Sequence, residues 1–176
     1  VNPTRTGVID ILQAMGADIS LENRQLLGKE PVADIRVRAS RLQGGPVDPA
    51  LVSLAIDEFP ALFVAAACAR GKTTFSGIGE LRVKESDRIA AMANGMRRLG
   101  IQVDESADGA VVHGGRFTGG EVESFHDHRV AMALAMAATI ADDEVMIRDV
   151  DNVDTSFPGF CDRMAAIGGE IEILND

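Results

Sequence analysis

The stretch Glu80-Leu81-Arg82-Val83-Lys84-Glu85-Ser86-Asp87-Arg88 carries five charged side chains in the seven residues that follow Leu81. Charged and apolar residues alternate in its first half, which is the pattern of a strand. Its second half leads into apolar residues at the spacing of an amphipathic helix, namely Ile89, Met92, Ala93, Met96 and Leu99. The stretch therefore predicts a strand that ends where a helix begins.

A cation falls at the start of this predicted helix. Either Ser86 or Asp87 can cap the helix, which places Arg88 in its first turn. That turn carries unpaired backbone N–H groups and the positive end of the helix dipole, so a cation is unfavourable there unless an anion binds nearby. The alternative is a solvated charged loop whose cations pair with neighbouring carboxylates.

The same arrangement occurs a second time at His126-Asp127-His128-Arg129. The apolar run over residues 130–138 predicts a helix that is buried on every side and too short to span a membrane. Asp127 is its natural N-cap, so His128 and Arg129 fall in its first turn. Two helix starts that carry cations indicate one anionic ligand shared by both.

Length and composition are those of a globular protein. The chain has 176 residues, of which 46% are hydrophobic, enough for one core. A net charge of -10 and the absence of Trp and Tyr argue against nucleic-acid binding, and no targeting or membrane-spanning segment stands out. Cys68 and Cys161 lie outside metal-binding spacings and are predicted to be reduced core thiols of a cytoplasmic protein. Because the chain opens on Val1, we expect it to be part of a longer polypeptide.

Hydrophobic periodicity and turn residues predict alternating helices and strands along the whole chain. The predicted helices cover residues 3–15, 59–69, 86–99, 128–140 and 157–167. The predicted strands cover residues 17–21, 31–38, 73–75, 101–103, 110–112, 145–147 and 170–174, with a turn at 23–29.

Three of these helices end alike, at Gly16, Gly100 and Gly168, and a strand starts within two residues of each glycine. The recurring order of elements predicts units of βαβαββ type. We expect a single domain over residues 1–176, with pseudo-repeats at about 1–50, 51–113 and 114–176 and with the first unit truncated. The predicted class is α/β (α+β), with mixed sheets around buried helices.

These motifs resemble those of the 5-enolpyruvylshikimate-3-phosphate (EPSP) synthase family. The family signatures Arg-x-Lys-Glu-x-Asp-Arg and Asp-His-Arg-x-Ala-Met match residues 82–88 and 127–132. The resemblance extends to residues 2–7, 56–60 and 155–158, in the family's order and nearly end to end. It implies the half-barrel domain of an enolpyruvyl transferase, and a chain that forms the C-terminal part of the enzyme.

The resemblance also implies an activity. Enzymes of this family transfer the carboxyvinyl group of phosphoenolpyruvate to the 5-hydroxyl of shikimate 3-phosphate in the shikimate pathway, and they use no metal or organic cofactor. The reaction needs a base for the hydroxyl, an acid for the methylene carbon and cations for two anionic substrates. The expected partners are these substrates and the N-terminal domain, and residues 1–176 alone are expected to be inactive.

Three carboxylates take roles from the resemblance. Asp57 matches the family residue that binds the shikimate hydroxyls and acts as the base, and Glu85 matches the carboxylate placed for proton transfer near the reacting carbon. Glu80 stands where many members have an Asn, and we assign it to the shikimate 3-phosphate site. Asp57 also fits a second role, as the N-cap of the helix over 59–69.

The cationic site residues come from the same motifs. Lys84 matches the contact to shikimate 3-phosphate, and Arg88 and Arg129 match the pair that grips phosphoenolpyruvate, for which the planar guanidinium suits a carboxylate. His128 is expected to orient or polarise the substrate beside them. We expect Arg88 and Arg129 to converge on one anion and to contribute little to stability in the free protein. A zinc site at His126-Asp127-His128 is the alternative, but it lacks a third ligand nearby.

Two positions depart from the commoner family pattern. Thr155 replaces a Lys and Glu80 replaces an Asn, and both changes resemble the second, glyphosate-tolerant class of these synthases. The determinants of tolerance lie in the other domain, so tolerance itself is not predicted. Two alternative functions stay open. One is a UDP-sugar enolpyruvyl transferase, which shares the fold but not the pattern Lys84-Glu85-x-Asp87-Arg88. The other is a non-catalytic binding module.

Overall fold

The computed structural model describes residues 1–174, and the element bounds below are those of this part of the chain. The α-helices run over Gly7–Ala14 (α1), Phe59–Cys68 (α2), Arg88–Arg98 (α3), His128–Ala138 (α4), Val153–Ser156 (α5) and Phe160–Ala166 (α6). The strands run over Asp18–Leu27 (β1), Glu30–Arg38 (β2), Lys72–Ser76 (β3), Val103–Ser106 (β4), Gly109–His113 (β5), Gly120–Glu123 (β6) and Val145–Arg148 (β7). Short 3-10 helices occupy Pro49–Leu54, Ile56–Glu58 and Gly79–Val83.

The strands form three small sheets. β1 and β2 make an antiparallel hairpin, β5 lies between β3 and β4 in an antiparallel sheet, and β6 pairs with β7 in parallel. Two isolated parallel bridges, Gln43 with Arg70 and Pro46 with Thr74, place the segment before α2 beside β3. A helix thus links two parallel segments twice, as α2 before β3 and as α4 before β7. The mixed α/β class is confirmed.

The core lies around α2, α3 and α4. Phe75 of β3 meets two aromatic rings of α2, with centroids 5.5 Å from Phe59 and 5.1 Å from Phe63. The apolar stripe predicted for α3 is buried along its whole length. A Cβ built on Gly95 of α3 would lie 3.0 Å from Leu134 of α4, so the glycine lets these two helices approach closely. At the starts of the same two helices, which carry the two signatures, Arg88 lies 2.8 Å from Asp127.

Several predicted elements are confirmed. The helices predicted over 59–69, 86–99 and 128–140 are α2, α3 and α4, and the strands over 31–38, 73–75, 110–112 and 145–147 are β2, β3, β5 and β7. The helix predicted over 3–15 begins only at Gly7, because residues 2–5 form a turn. Within residues 1–174, no helix is long and apolar enough to cross a membrane.

The strand predicted at the start of the 80–88 stretch is wrong, because residues Gly79–Val83 form a 3-10 helix. The backbone N–H groups of Gly77 and Gly79 donate to the Asp108 carboxylate at 3.1 and 3.0 Å, which fixes the entry to this turn. Arg82 donates from Nε to the Ala107 carbonyl at 3.0 Å. Anchored side chains and local backbone hydrogen bonds therefore replace strand pairing here.

Other predictions fail at the ends of the chain. The turn predicted at 23–29 is shorter, since β1 continues to Leu27 past an irregularity after Glu22. The helix predicted over 157–167 begins only at Phe160, as α6, after Gly159 with a positive φ of 72°, and the short helix α5 before it was not predicted. The strand predicted over 170–174 is wrong, because these residues have no regular structure. Residues 175–176 of the third predicted repeat lie outside the described residues.

Two burial predictions also need correction. The helix α4 is not buried on every side, because Met136 points outward and is 42% exposed. Cys68 is exposed at the last position of α2 and Cys161 is half-buried, so neither is a core thiol. Both cysteines lie at helix positions turned away from the main core, which the apolar character of their neighbours did not indicate.

We expect Gly44→Ala to lower the free energy of unfolding by about 1–3 kcal/mol. Gly44 donates its N–H to the Arg70 carbonyl at 2.8 Å, and a Cβ on it would lie 2.6 Å from the Lys72 carbonyl oxygen. Gly45 is the matched control, because a Cβ there meets nothing within 4 Å. Chemical unfolding of both variants tests this, and a Gly45→Ala variant as unstable as Gly44→Ala would contradict it.

Candidate active site

The first turns of α3 and α4 meet at the carboxylate of Asp57. This residue lies in the 3-10 turn Ile56–Glu58, directly before α2. Its Oδ1 lies 3.5 Å from Arg88 Nη1, and its Oδ2 lies 3.3 Å from Arg129 Nη2. Arg129 also donates to the Asp57 backbone carbonyl at 3.1 Å. The structure thus brings the two signature arginines to one spot, where a carboxylate sits between them.

Arg88 is the largest of the fully buried side chains, with 1% of its surface exposed. Its Nε lies 2.8 Å from Oδ2 of Asp127, and its Nη2 lies 2.6 Å from Oε2 of Glu85. Asp127 is 0% exposed and also accepts from the Ser86 hydroxyl at 3.0 Å. The anion expected at this helix start is therefore Asp127, which the other signature supplies.

This network overturns the expectation that Arg88 contributes little to stability. That expectation rested on a cation left without a partner at a helix start. In the structure, Arg88 and Asp127 are both buried and pair at 2.8 Å, while the more exposed Glu85 contacts Arg88 at 2.6 Å. Removal of one partner leaves a buried charge uncompensated, which is strongly destabilising.

Local hydrogen bonds fix both helix starts. Asp87 caps α3 by accepting from the Ala90 N–H at 2.9 Å, so Asp87 and not Ser86 takes this role. Asp127 caps α4 through Oδ1, which accepts from the N–H groups of Arg129 and Val130 at 2.9 and 3.3 Å. The N-cap position of α2 is Glu58, with no side-chain cap. The cap role considered for Asp57 is therefore not found, and its carboxylate faces the arginines.

The pKa of Asp127 lies below its usual value. Burial raises it, but the hydrogen bond and charge of Arg88, the Arg129 N–H and the Ser86 hydroxyl outweigh burial. The folded state therefore holds its proton less tightly than the unfolded chain does. When the pH falls below about 4, the ordinary aspartate pKa, the Asp127 carboxylate takes up a proton more readily in the unfolded chain, and this favours unfolding.

We expect the free energy of unfolding to fall as the pH drops below about 5, because Asp127 contributes stability only while it is ionised. Asp127→Asn should be less stable at pH 7 and should lose less stability between pH 7 and pH 3. Chemical unfolding across this range is the measurement. Asp142→Asn, which removes the exposed partner of Arg116, controls for the loss of one carboxylate. An unchanged pH dependence in Asp127→Asn would refute the assignment.

The remaining predicted site residues lie at the rim. Glu85 is 52% exposed, so its second oxygen reaches solvent while Oε2 contacts Arg88. Lys84 pairs with Glu80 one helical turn earlier, and its amine is the nearest cation to that carboxylate. His128 is the half-buried first residue of α4. Lys84 and Glu80 therefore pair with each other in this structure, and not with Asp57.

The zinc alternative finds no support among residues 1–174, where no three His, Cys, Asp or Glu side chains are placed to hold a metal ion. His126 is exposed, and its Nε2 lies 3.8 Å from Asp149. Asp127 is buried and turned inward to cap α4, so it does not share a site with the exposed His126.

Arg5 is a contact of this site for which no role was predicted. Its Nη2 lies 2.9 Å from Oδ2 of Asp57 and 3.4 Å from Oε1 of Glu58. The signal for it was available in the sequence Asn2-Pro3-Thr4-Arg5-Thr6-Gly7, which resembles a family motif. Three guanidinium groups thus surround one carboxylate.

Comparisons with known proteins all point the same way. The family model described as EPSP synthase (3-phosphoshikimate 1-carboxyvinyltransferase) matches residues 1–164. A 3-phosphoshikimate 1-carboxyvinyltransferase of Nitrosococcus oceani is 58% identical over 168 residues, which are 96% of this chain and 38% of the relative. One of Acidithiobacillus ferrooxidans is 59% identical over 160 residues, which are 91% of this chain and 37% of the relative. The chain thus spans well under half the length of these relatives.

Solved structures agree with the sequence matches. An EPSP synthase of Acinetobacter baumannii superposes with a TM-score of 0.97 at 47% identity, over 99% of this chain and 41% of that one. The enolpyruvyl transferase NikO of Streptomyces tendae superposes with a TM-score of 0.67 at 17% identity, over 97% of this chain and 38% of that one. The second likeness shows the fold alone.

Proposed function

Because the chain belongs to the EPSP synthase family, we propose that it is the C-terminal part of an enzyme that transfers the carboxyvinyl group of phosphoenolpyruvate to shikimate 3-phosphate. One observation carries the proposal. A carboxylate, that of Asp57, already sits between the guanidinium groups of Arg88 and Arg129. The carboxylate of phosphoenolpyruvate has the same charge and the planar shape that such groups bind.

Each side chain takes a role from its place around this spot. Arg88 and Arg129 hold phosphoenolpyruvate, with Arg88 fixed in place by Asp127 behind it. Glu85, next to Arg88 and open to solvent, gives its proton to the methylene carbon. Asp57 takes the proton of the 5-hydroxyl as the hydroxyl oxygen bonds to the carbon that bears the phosphate. The carboxyvinyl product forms when that carbon releases phosphate and the new methyl group returns one proton to Glu85. Enzyme cations in a partly water-excluded site stabilise the charge that develops during the transfer.

The remaining assignments concern shikimate 3-phosphate. Lys84 provides a cation for its phosphate. In the free protein Lys84 pairs with Glu80, and this ion pair breaks when the phosphate binds. His128, in the first turn of α4, polarises the substrate beside Arg129. No metal or organic cofactor takes part in this scheme.

We further propose that residues 1–176 are one domain that works with a second, N-terminal domain. The chain spans about 38% of its relative from Nitrosococcus oceani. In such an enzyme, the remaining residues can form a second domain that supplies the other substrate contacts. The pseudo-repeats at about 1–50, 51–113 and 114–176 stay part of this proposal. So does a cytoplasmic location, for which the unpaired Cys68 and Cys161 are the support.

Phosphate release by the intact enzyme tests the function. We expect phosphate to be released from phosphoenolpyruvate only when shikimate 3-phosphate is present, and not when a UDP-sugar replaces it. Release with the UDP-sugar would favour the other transferase class. Absence of release with either acceptor, together with measurable substrate binding, would favour a non-catalytic binding module.

The isolated segment 1–176 provides the second arm of this experiment. We expect it to show no turnover, because only part of the substrate shell is present and domain closure is needed to exclude water. Turnover by this segment above a heat-treated control would contradict the two-domain proposal.

A further inference from the structure

Arg5 approaches the carboxylate of Asp57 more closely than either signature arginine does. Its distance to Oδ2 is 2.9 Å, against 3.3 Å for Arg129 to Oδ2 and 3.5 Å for Arg88 to Oδ1. Arg5 comes from a different part of the chain, 52 residues before Asp57. It is also the most accessible of the three, with 53% of its side chain exposed.

The segment that carries Arg5 is built to hold it there. The Asn2 side-chain oxygen accepts from the Thr4 N–H at 3.0 Å, and the Asn2 carbonyl accepts from the Arg5 N–H at 2.9 Å. Gly7 begins α1 directly against Leu54, because a Cβ on Gly7 would lie 2.7 Å from the Leu54 Cβ. The turn is thereby packed on the 3-10 helix that leads into Asp57.

Of the other two arginines, Arg88 has competing partners in the structure. Arg88 is paired with Asp127 and Glu85 at shorter distances than with Asp57. Under the proposed function, the carboxylate of phosphoenolpyruvate takes the place between Arg88 and Arg129. Their longer contacts to Asp57 are then lost to the substrate, whereas Arg5 stays bound to Oδ2.

We propose that Arg5 is a positioning residue that holds Asp57 by Oδ2 and so leaves Oδ1 to accept the proton of the 5-hydroxyl. The proposal rests on the proposed function and deepens it. A carboxylate held at one oxygen by a guanidinium keeps its charge and its orientation, while the freed oxygen faces the acceptor substrate. Without Arg5, Asp57 is free to swing away once the substrate occupies its arginines.

The test is steady-state kinetics of the intact enzyme with Arg5→Gln. We expect kcat to fall about 10- to 100-fold, the usual range for a misplaced reacting group, with KM for phosphoenolpyruvate changed less than about threefold. The melting temperature should stay near that of the parent, since exposed ion pairs contribute little to stability. Arg5→Lys should restore part of kcat, because it keeps the charge but not the fork.

Arg38→Gln is the matched control. Arg38 is an equally exposed arginine, paired with Asp18 at 3.5 Å on the β1–β2 hairpin and outside the site. It should keep the parent kcat. An equal loss of kcat in Arg38→Gln would overturn the role of Arg5, because the effect would then come from surface charge alone.

A double-mutant cycle with Asp57→Asn separates positioning from a general structural role. If Arg5 acts through Asp57, adding Arg5→Gln to Asp57→Asn should lower kcat no further than about twofold. A full additional loss in the double variant would overturn the proposal, as would a normal kcat in Arg5→Gln itself. An inactive parent enzyme would instead overturn the proposed function and, with it, this role of Arg5.

Discussion

Replacement of Glu85 by Gln, or of Asp57 by Asn, is expected to lower kcat of the intact enzyme by about two to four powers of ten. The amide keeps the size of each side chain but neither gives nor accepts the proton. Both carboxylates are partly exposed, Glu85 to 52% and Asp57 to 23%, and the buried Arg88 keeps Asp127 as a countercharge when either of them is neutralised, so stability should change little. Substrate KM values should change little.

Glu105→Gln is the control for this loss. Glu105 is also a partly exposed glutamate held by arginine, 3.1 Å from Arg97, but it lies on β4 outside the site. Its variant should keep both kcat and KM. Kinetics and thermal melting on the same preparations decide the matter, because a purely structural role of Glu85 or Asp57 would lower the melting temperature and leave turnover nearly normal.

The second large effect concerns stability. Arg88→Ala is expected to lower the free energy of unfolding by about 3–5 kcal/mol, because Asp127 is then buried without a countercharge. Arg129→Ala should cost under about 1 kcal/mol, since this side chain is 32% exposed and its pair with Asp57 is long. It should instead weaken phosphoenolpyruvate binding by about 1.5–3 kcal/mol.

The double variant Arg88→Ala with Asp127→Asn tests the cause of this loss. The neutral amide needs no countercharge and still accepts the backbone N–H groups at the start of α4, so part of the stability should return. Chemical unfolding measures it. Equal instability of the single and double variants would show that the loss comes from the emptied volume of Arg88 and not from the stranded carboxylate.

Features decided by neighbouring residues were predictable from the sequence. The helix caps at Asp87 and Asp127 follow from side chains that bond to backbone N–H groups two or three residues ahead. The stripe of α3 follows from the helical period. The approach of Arg88 and Arg129 was also expected, because both helix starts needed the same kind of partner.

Features decided by distant residues were not predictable. The buried partner of Arg88 is a carboxylate 39 residues away, and a charge pattern does not tell a bound substrate from an internal ion pair. The alternation around Leu81 and Val83 was a strand pattern, but Asp108 and the Arg82 contacts stabilise a turn instead. Arg5 acts across 52 residues, so its contact to Asp57 appears only once α1 is packed.

The double role of Asp127 constrains how such a chain diverges. One oxygen caps α4 and the other neutralises Arg88, so two signatures that lie far apart in sequence share a single side chain. A descendant that loses only Arg88 carries a penalty of about 3–5 kcal/mol, a large part of the roughly 5–15 kcal/mol that keeps a domain folded. Asp127→Asn should cost less stability as a first change, because the amide still caps α4 and Arg88 keeps its ion pair with Glu85. The effect of a substitution at Arg88 therefore depends on the residue at position 127. We expect Asp127 to change before Arg88 when such a chain diverges.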